Sequence, residues 1–278
     1  MKEPLVSIIL PTYNGVPIIR NAILSVLWQS FSDWELIVVD DCSSQNIKEV
    51  VSETMRDKTD HLQIITNSRN LGIGGSLNEG ISKATGKYIA RIDDDDEWVD
   101  KEKLKKQISF LESNIDYVLV GTGAVVISDK GVEQFRYLLP QEDRAIRKKI
   151  LSKNCFVHSS VVFNKDAAVE CGGYGTDSGL KYVEDYNLWL NLGLIGKLYN
   201  LPECSVALMN RVGSISSTNR VKQSESAIRQ VIKFRKAYPS FFSGLFVSIA
   251  RFFFFTIQKL LHIDRFWELK IKPTYKKF

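Results

Sequence analysis

The sequence predicts an α/β fold with a mostly parallel sheet flanked by helices. Short β-branched runs alternate with helix-length segments through the first half, which is the pattern of strands joined by helical crossovers. The first run is almost continuously apolar, as a strand buried on both faces must be. Polar stretches rich in Asn, Asp, Ser and Gly follow each run.

LVSIIL at 5–10 forms the first strand, and a helix at about 17–30 presents Ile18, Ala22, Leu24, Val26 and Leu27 as apolar surface. ELIVVD at 35–40, LQIIT at 62–66 and KYIARI at 87–92 supply three more strands, with helices at about 46–56 and 74–85 between them. YVLVGTGAVVI at 117–127 continues the sheet, and the region to about 210 mixes both signals. No repeat and no low-complexity linker divides the chain.

With 278 residues, 44% of them apolar, the chain can bury a substantial core. The formal charge of +5 is too mild to point to nucleic acid, and no such partner is expected. From Lys233 onward, ten Lys and Arg face two acids, a net of +8 that leaves −3 for the first 232 residues. Cys42, Cys155, Cys171 and Cys204 are widely spaced and read as reduced thiols. Three histidines, none at ligand spacing from a cysteine pair, argue against zinc. MKEPLVSIIL lacks the long apolar stretch and cleavage site of a secretory signal, so a cytoplasmic location is expected.

The strand ends carry the chemistry. After the first comes PTYNG, after the second DDCSS, after the third the segment 67–75, and after the fourth Asp93, Asp94, Asp95 and Asp96. In a parallel sheet these loops share one rim, where ligands of open α/β folds bind. Crowded carboxylates repel unless a cation or water compensates them. An aromatic at Tyr13, an acid at Asp41 and an acidic pair therefore suit a nucleotide, and Mg²⁺ or Mn²⁺ suits carboxylate and phosphate oxygens. Gly72, Gly74 and Gly75 do not form a dinucleotide fingerprint, which belongs after the first strand.

VSIILPTYNG, ELIVVDDCSS, NLGIGGSLNEGISKATGKYIARIDDDDEW, HSSVVFNK, CGGY and VEDYNLWLNLG, in that order, resemble the successive motifs of family 2 glycosyltransferases of bacterial surface polysaccharide biosynthesis. The resemblance spans about 5–217 and implies a Rossmann-like GT-A domain at 1–217, with a nucleotide half at about 1–115 and an acceptor half at about 116–217. It implies an inverting, metal-dependent transfer from a nucleotide-sugar donor, a UDP-sugar, to a lipid-linked saccharide. By that resemblance Thr12 and Tyr13 line the nucleoside pocket, Asp41 binds the base, and Asn70, Gly72 and Asn78 border the nucleotide. Asp93 and Asp95 match the DxD motif, Asp93 towards the ribose and Asp95 on the metal. Asp96 is a neighbouring candidate, and Asp94 fills the variable, solvated position. Asp185 matches the general base and Glu184 positions it. Asn191 stands where many relatives have Arg, Arg211 is retained as a diphosphate or acceptor contact, and His158 belongs to the acceptor cleft or to the core.

A sugar-nucleotide pyrophosphorylase is the alternative enzyme, but PTYNG lacks basic residues for a triphosphate loop. A non-catalytic, membrane-recruited scaffold is the other alternative, and both acidic pairs argue against it. The tail at 218–278 is expected to be basic and helical. On a helical wheel over 241–263, Phe242, Leu245, Phe246, Ile249, Phe253, Ile257 and Leu260 share one side, with Ser248, Arg251, Gln258, Lys259 and His262 opposite. This separation predicts an amphipathic helix on an anionic membrane surface, peripheral on the inner face of the cell membrane.

Overall fold

The computed structural model describes residues 3–128, 130–210 and 219–261. Nine strands form a single sheet in the order β3-β2-β1-β4-β8-β6-β9-β5, with β7 beside β6. β1 (Val6–Thr12), β2 (Trp34–Asp40), β3 (Leu62–Thr66) and β4 (Tyr88–Arg91) are parallel and in register, Ile9 lying opposite both Ile37 and Arg91. This is the parallel unit expected from the alternating pattern. The second half is mixed. β8 (Val162–Asn164) runs antiparallel between β4 and β6 (Tyr117–Ile127), and β6 pairs in parallel with the long β9 (Lys197–Met209). The short β5 (Glu97–Trp98) and β7 (Glu133–Tyr137) pair antiparallel with β9 and β6.

Alternation along each strand divides the core into two layers. Ile8, Leu10, Leu36, Val38 and Ala90 face one layer, together with α1 (Ile19–Leu27), α2 (Ile47–Met55) and α4 (Lys103–Ser113). Ile9, Ile37, Val39 and Ile89 face the other, which takes α3 (Gly72–Lys83), α6 (Lys165–Glu170) and α7 (Glu184–Ile195). Each fully buried Val, Leu or Ile contributes about 1.5–3 kcal/mol, so burial on both faces explains why strands β1 and β2 tolerate almost no polar residues.

α5 (Asp143–Lys149) closes the lower edge of the second layer, and α8 (Arg220–Lys233) adds Val231 to it. α9 (Phe241–Leu260) then lies along the outside. Its Gly244, Ser248 and Gln258 are buried, whereas Phe242, Phe246 and Leu260 are 83%, 74% and 74% exposed. The helix thus sets Gly244, Ser248 and Gln258 against the protein beside Phe241 and Leu245, and turns Phe242, Phe246 and Leu260 outward. Of the polar side expected from the helical wheel, Ser248 and Gln258 are buried against the domain.

Candidate functional site

The carboxyl ends of β1, β2, β3 and β4 open on one rim because the strands are parallel neighbours. Asn14 and Cys42 take left-handed φ values of 56° and 63° there. The Asn14 side-chain oxygen accepts from the Ser44 amide at 2.9 Å, and the Asn14 amide donates to Ser43 Oγ at 2.8 Å. These bonds lock the first two loops together. Tyr13 stands beside them, 56% exposed, with its ring available for stacking on a base.

Asp41 is buried, and its carboxylate holds the third loop. Oδ1 accepts from Asn67 Nδ2 at 2.9 Å and the Leu71 amide at 2.8 Å, while Oδ2 accepts from the Gly72 amide at 2.9 Å. Gly72 needs its left-handed φ of 74° for this approach. Asn70 completes the turn, its Oδ1 accepting from the same Gly72 amide at 3.2 Å. The sequence reading assigned Asp41 to the base. Its immediate work is to fix the turn into α3, and Oδ2, with one internal donor, retains capacity for another. Asn78 likewise spends both ends of its amide on the chain: Nδ2 donates to the Tyr174 carbonyl and Oδ1 accepts from the Tyr174 amide, both at 2.8 Å.

The aspartate run is built on a buried arginine. Arg91, at the end of β4, is 1% exposed and forms a two-pronged ion pair with Asp93. Ser159 Oγ ties Asp93 to Asp96, accepting from the Asp93 amide at 3.1 Å and donating to Asp96. Thr12 Oγ1 donates to Asp94 at 2.6 Å, so Asp94 belongs to the rim rather than to bulk water. Oxygens of Asp93, Asp95 and Asp96 all lie within 4.8 Å of one another. Burial, and then the charges of Asp93 and Asp95, push the Asp96 carboxyl well above the usual carboxylate range. Three crowded carboxylates of this kind fit a hard divalent cation, which would relieve their repulsion through oxygen ligands.

Glu184 and Asp185 begin α7. Tyr182, two residues earlier, has a left-handed φ of 72° that turns the chain into the helix. The Asp185 carboxyl is raised by burial, against the opposing pull of the Tyr186 amide, Arg91 and Asn154, whose Nδ2 donates to Oδ2 at 2.8 Å. Glu184 is pushed up to about 7 by burial and by the Asp185 charge. A Cβ placed on Gly74, at the start of α3, would lie 3.7 Å from Glu184 Cβ, so the acidic pair adjoins the turn that Asp41 holds on the rim. A carboxylate raised in this way is a better proton acceptor near neutral pH.

Thr12, Tyr13, Asp41, Asn70 and Gly72 therefore lie on the rim with Asp93 and Asp95, while Asn78 braces it from α3. Arg211 lies outside the described residues. His158 is a core histidine: Nε2 sits 3.1 Å from the Tyr174 hydroxyl, and the ring packs against Trp189. Three contributors escaped the sequence reading. Arg91 had a signal, a lone cation in an apolar strand before a run of acids. Ser159 had only its place after His158, and Asn154 had none.

Residues 7–172 match the family model described as glycosyl transferase family 2. The chain is 31% identical over 218 residues to WfgD of Escherichia coli, described as UDP-Glc:alpha-D-GlcNAc-diphosphoundecaprenol beta-1,3-glucosyltransferase, an alignment covering 74% of this chain and 81% of that protein. Its fold is similar to that of Staphylococcus aureus TarS (1–349) in complex with UDP-GlcNAc, with a TM-score of 0.71 at 20% identity over 93% of this chain and 76% of TarS. It is also similar to the mannosyltransferase PcManGT of Pyrobaculum calidifontis in complex with GDP-Man and Mn²⁺, with a TM-score of 0.65 at 17% identity over 94% and 76%. The chain belongs to glycosyl transferase family 2, has the GT-A fold and is a glycosyltransferase.

Proposed function

We propose that this enzyme is an inverting, metal-dependent glycosyltransferase. It moves one sugar from a UDP-sugar to a hydroxyl of a lipid-linked saccharide during O-antigen, capsule or exopolysaccharide synthesis. The observation that carries this reading is the pairing of Asp185 with the Asp93–Asp96 cluster across one site. The name of WfgD supports the donor and acceptor classes. The ligands of TarS and PcManGT support a nucleotide-sugar and a metal on this fold.

Tyr13 stacks on the base, with Thr12 and Asp41 beside the nucleoside. Asp95 and Asp93 hold Mn²⁺ or Mg²⁺, with Asp96 adjoining, and Arg91 fixes Asp93. A bound divalent ion would offset charge on the departing diphosphate. Arg211 contacts the diphosphate or the acceptor. Asp185, oriented by Asn154, accepts the proton of the attacking hydroxyl on the sugar face opposite the leaving group, and Glu184 positions it. The exposed aromatic face of α9 seats the protein on the inner face of the cell membrane. By length and composition α9 could cross a bilayer. Its packing along the domain favours an interfacial position: Arg251 bonds the Ser152 carbonyl at 2.9 Å, and Arg220 lies 5.6 Å from the Phe255 ring.

The test is a transfer assay with radiolabelled UDP-sugars, Mn²⁺ and lipid-linked acceptor. Asp185→Asn should lower transfer by at least about 100-fold while UDP affinity stays within about two-fold. Substantial residual transfer would remove Asp185 from the role of base.

A further inference from the structure

A cavity of about 370 Å³ opens beside Asp185, enclosed by the 151–154 segment, the start of α7, α8 and α9. Its size is that of a small-molecule site. Asp185 lines it together with Asn154, which donates to its carboxylate, and the neighbouring Glu184 lies beside Gly74 at the start of α3, so the acidic pair stands between this cavity and the rim. A hydroxyl approaching Asp185 from the cavity would come from the side away from the diphosphate rim.

The cavity's charge identifies its occupant. Lys153, from the loop after α5, and Arg251, from α9, converge on the lining, where Asp185 is the only acid among the described lining residues. Burial lowers the Lys153 pKa, and the neighbouring charges of Arg251 and Lys149 lower it further. Such a grouping of cations favours an anion with several oxygens. Ser248, Arg251 and Phe255 of α9 form the outer wall, and Phe254, next to Phe255, is 41% exposed at the start of the helix's apolar surface. The cavity therefore adjoins the apolar surface of the molecule. A free anion gains nothing from that arrangement, whereas a lipid diphosphate uses both parts.

Resting on the glycosyltransferase reading above, we infer that this cavity holds the diphosphate of a lipid-linked acceptor between Lys153 and Arg251, presenting the acceptor's sugar to Asp185. The full chain, with UDP and Mn²⁺ present, should bind farnesyl diphosphate saturably and farnesol at least ten-fold more weakly. Lys153→Gln and Arg251→Gln should each weaken farnesyl diphosphate binding about ten-fold, with UDP affinity unchanged. Arg251→Lys, which keeps the charge, should restore most of the loss.

Unaltered binding in both Gln variants would overturn the inference, as would displacement of farnesyl diphosphate by UDP and Mn²⁺. Equal affinity for inorganic pyrophosphate would assign the cavity to a free anion and overturn the lipid source. Failure of UDP to bind with Mn²⁺ would count against the donor reading instead, because farnesyl diphosphate binding in metal-free buffer tests the cavity alone.

Discussion

Burial holds both Glu184 and Asp185 above the ordinary carboxylate range, and the Asp185 charge adds to the shift of Glu184. For Glu184 the sign of the pH effect follows directly. The folded protein keeps a proton up to about pH 7 that an ordinary glutamate releases near 4.5. The stability associated with the neutral form is complete below 4.5 and is lost as pH rises through 7. Glu184→Gln stays neutral throughout, so it should raise Tm over the wild type at pH 8 and match it at pH 4, by roughly 2–4 °C for each kcal/mol recovered. Thermal scans at the two pH values check this, and an identical difference at both would contradict it. The motif residues were legible because their types are chemically distinctive. Their partners were not: Ser159 and Asn154 are ordinary polar residues 66 and 31 positions from Asp93 and Asp185, and only folding brings them there.

At the scale of elements, α3 and the 172–175 loop are joined through Asn78. Gly173 takes a left-handed φ of 70°, and a Cβ placed on it would lie 2.5 Å from Asn78 Oδ1. Gly173→Ala should therefore combine backbone strain of about 1–2 kcal/mol with loss of the Asn78 bonds. It should lower the urea midpoint clearly, whereas Gly131→Ala, at a similar φ with open space around it, should show the strain alone. Equal losses in the two variants would show that the Asn78 tie is not stabilising. The first four strands were legible because each is a short apolar run closed by a polar turn. β6 was legible as well, its apolar run at 117–127 coinciding with the strand Tyr117–Ile127, but β5 and β9 were not. β9 includes Pro202, Glu203 and Cys204 within thirteen residues, and β5 is two residues long, so neither carries a period that sequence alone can display.

Across the whole molecule, α9 is tied back to the domain through Arg251, which donates to the Ser152 carbonyl, and through Phe255 beside Arg220 of α8. The sequence showed that α9 has two faces, and folding decided which one the domain covers. Phe246→Ser with Phe253→Ser removes two exposed rings without touching the packed side. This pair should reduce sedimentation with anionic vesicles several-fold and leave Tm within about 2 °C, since surface changes rarely exceed about 0.5 kcal/mol. Unchanged sedimentation would separate the helix from membrane attachment. The most direct test of the central claim is a crystal structure of the protein soaked with UDP and Mn²⁺, read by manganese anomalous scattering. The account predicts a peak about 2–2.5 Å from carboxylate oxygens of the Asp93–Asp96 cluster, bridged to the UDP diphosphate with the uracil against Tyr13. Manganese and UDP bound away from that rim, or nucleotide seated there without the metal touching Asp95, would contradict it.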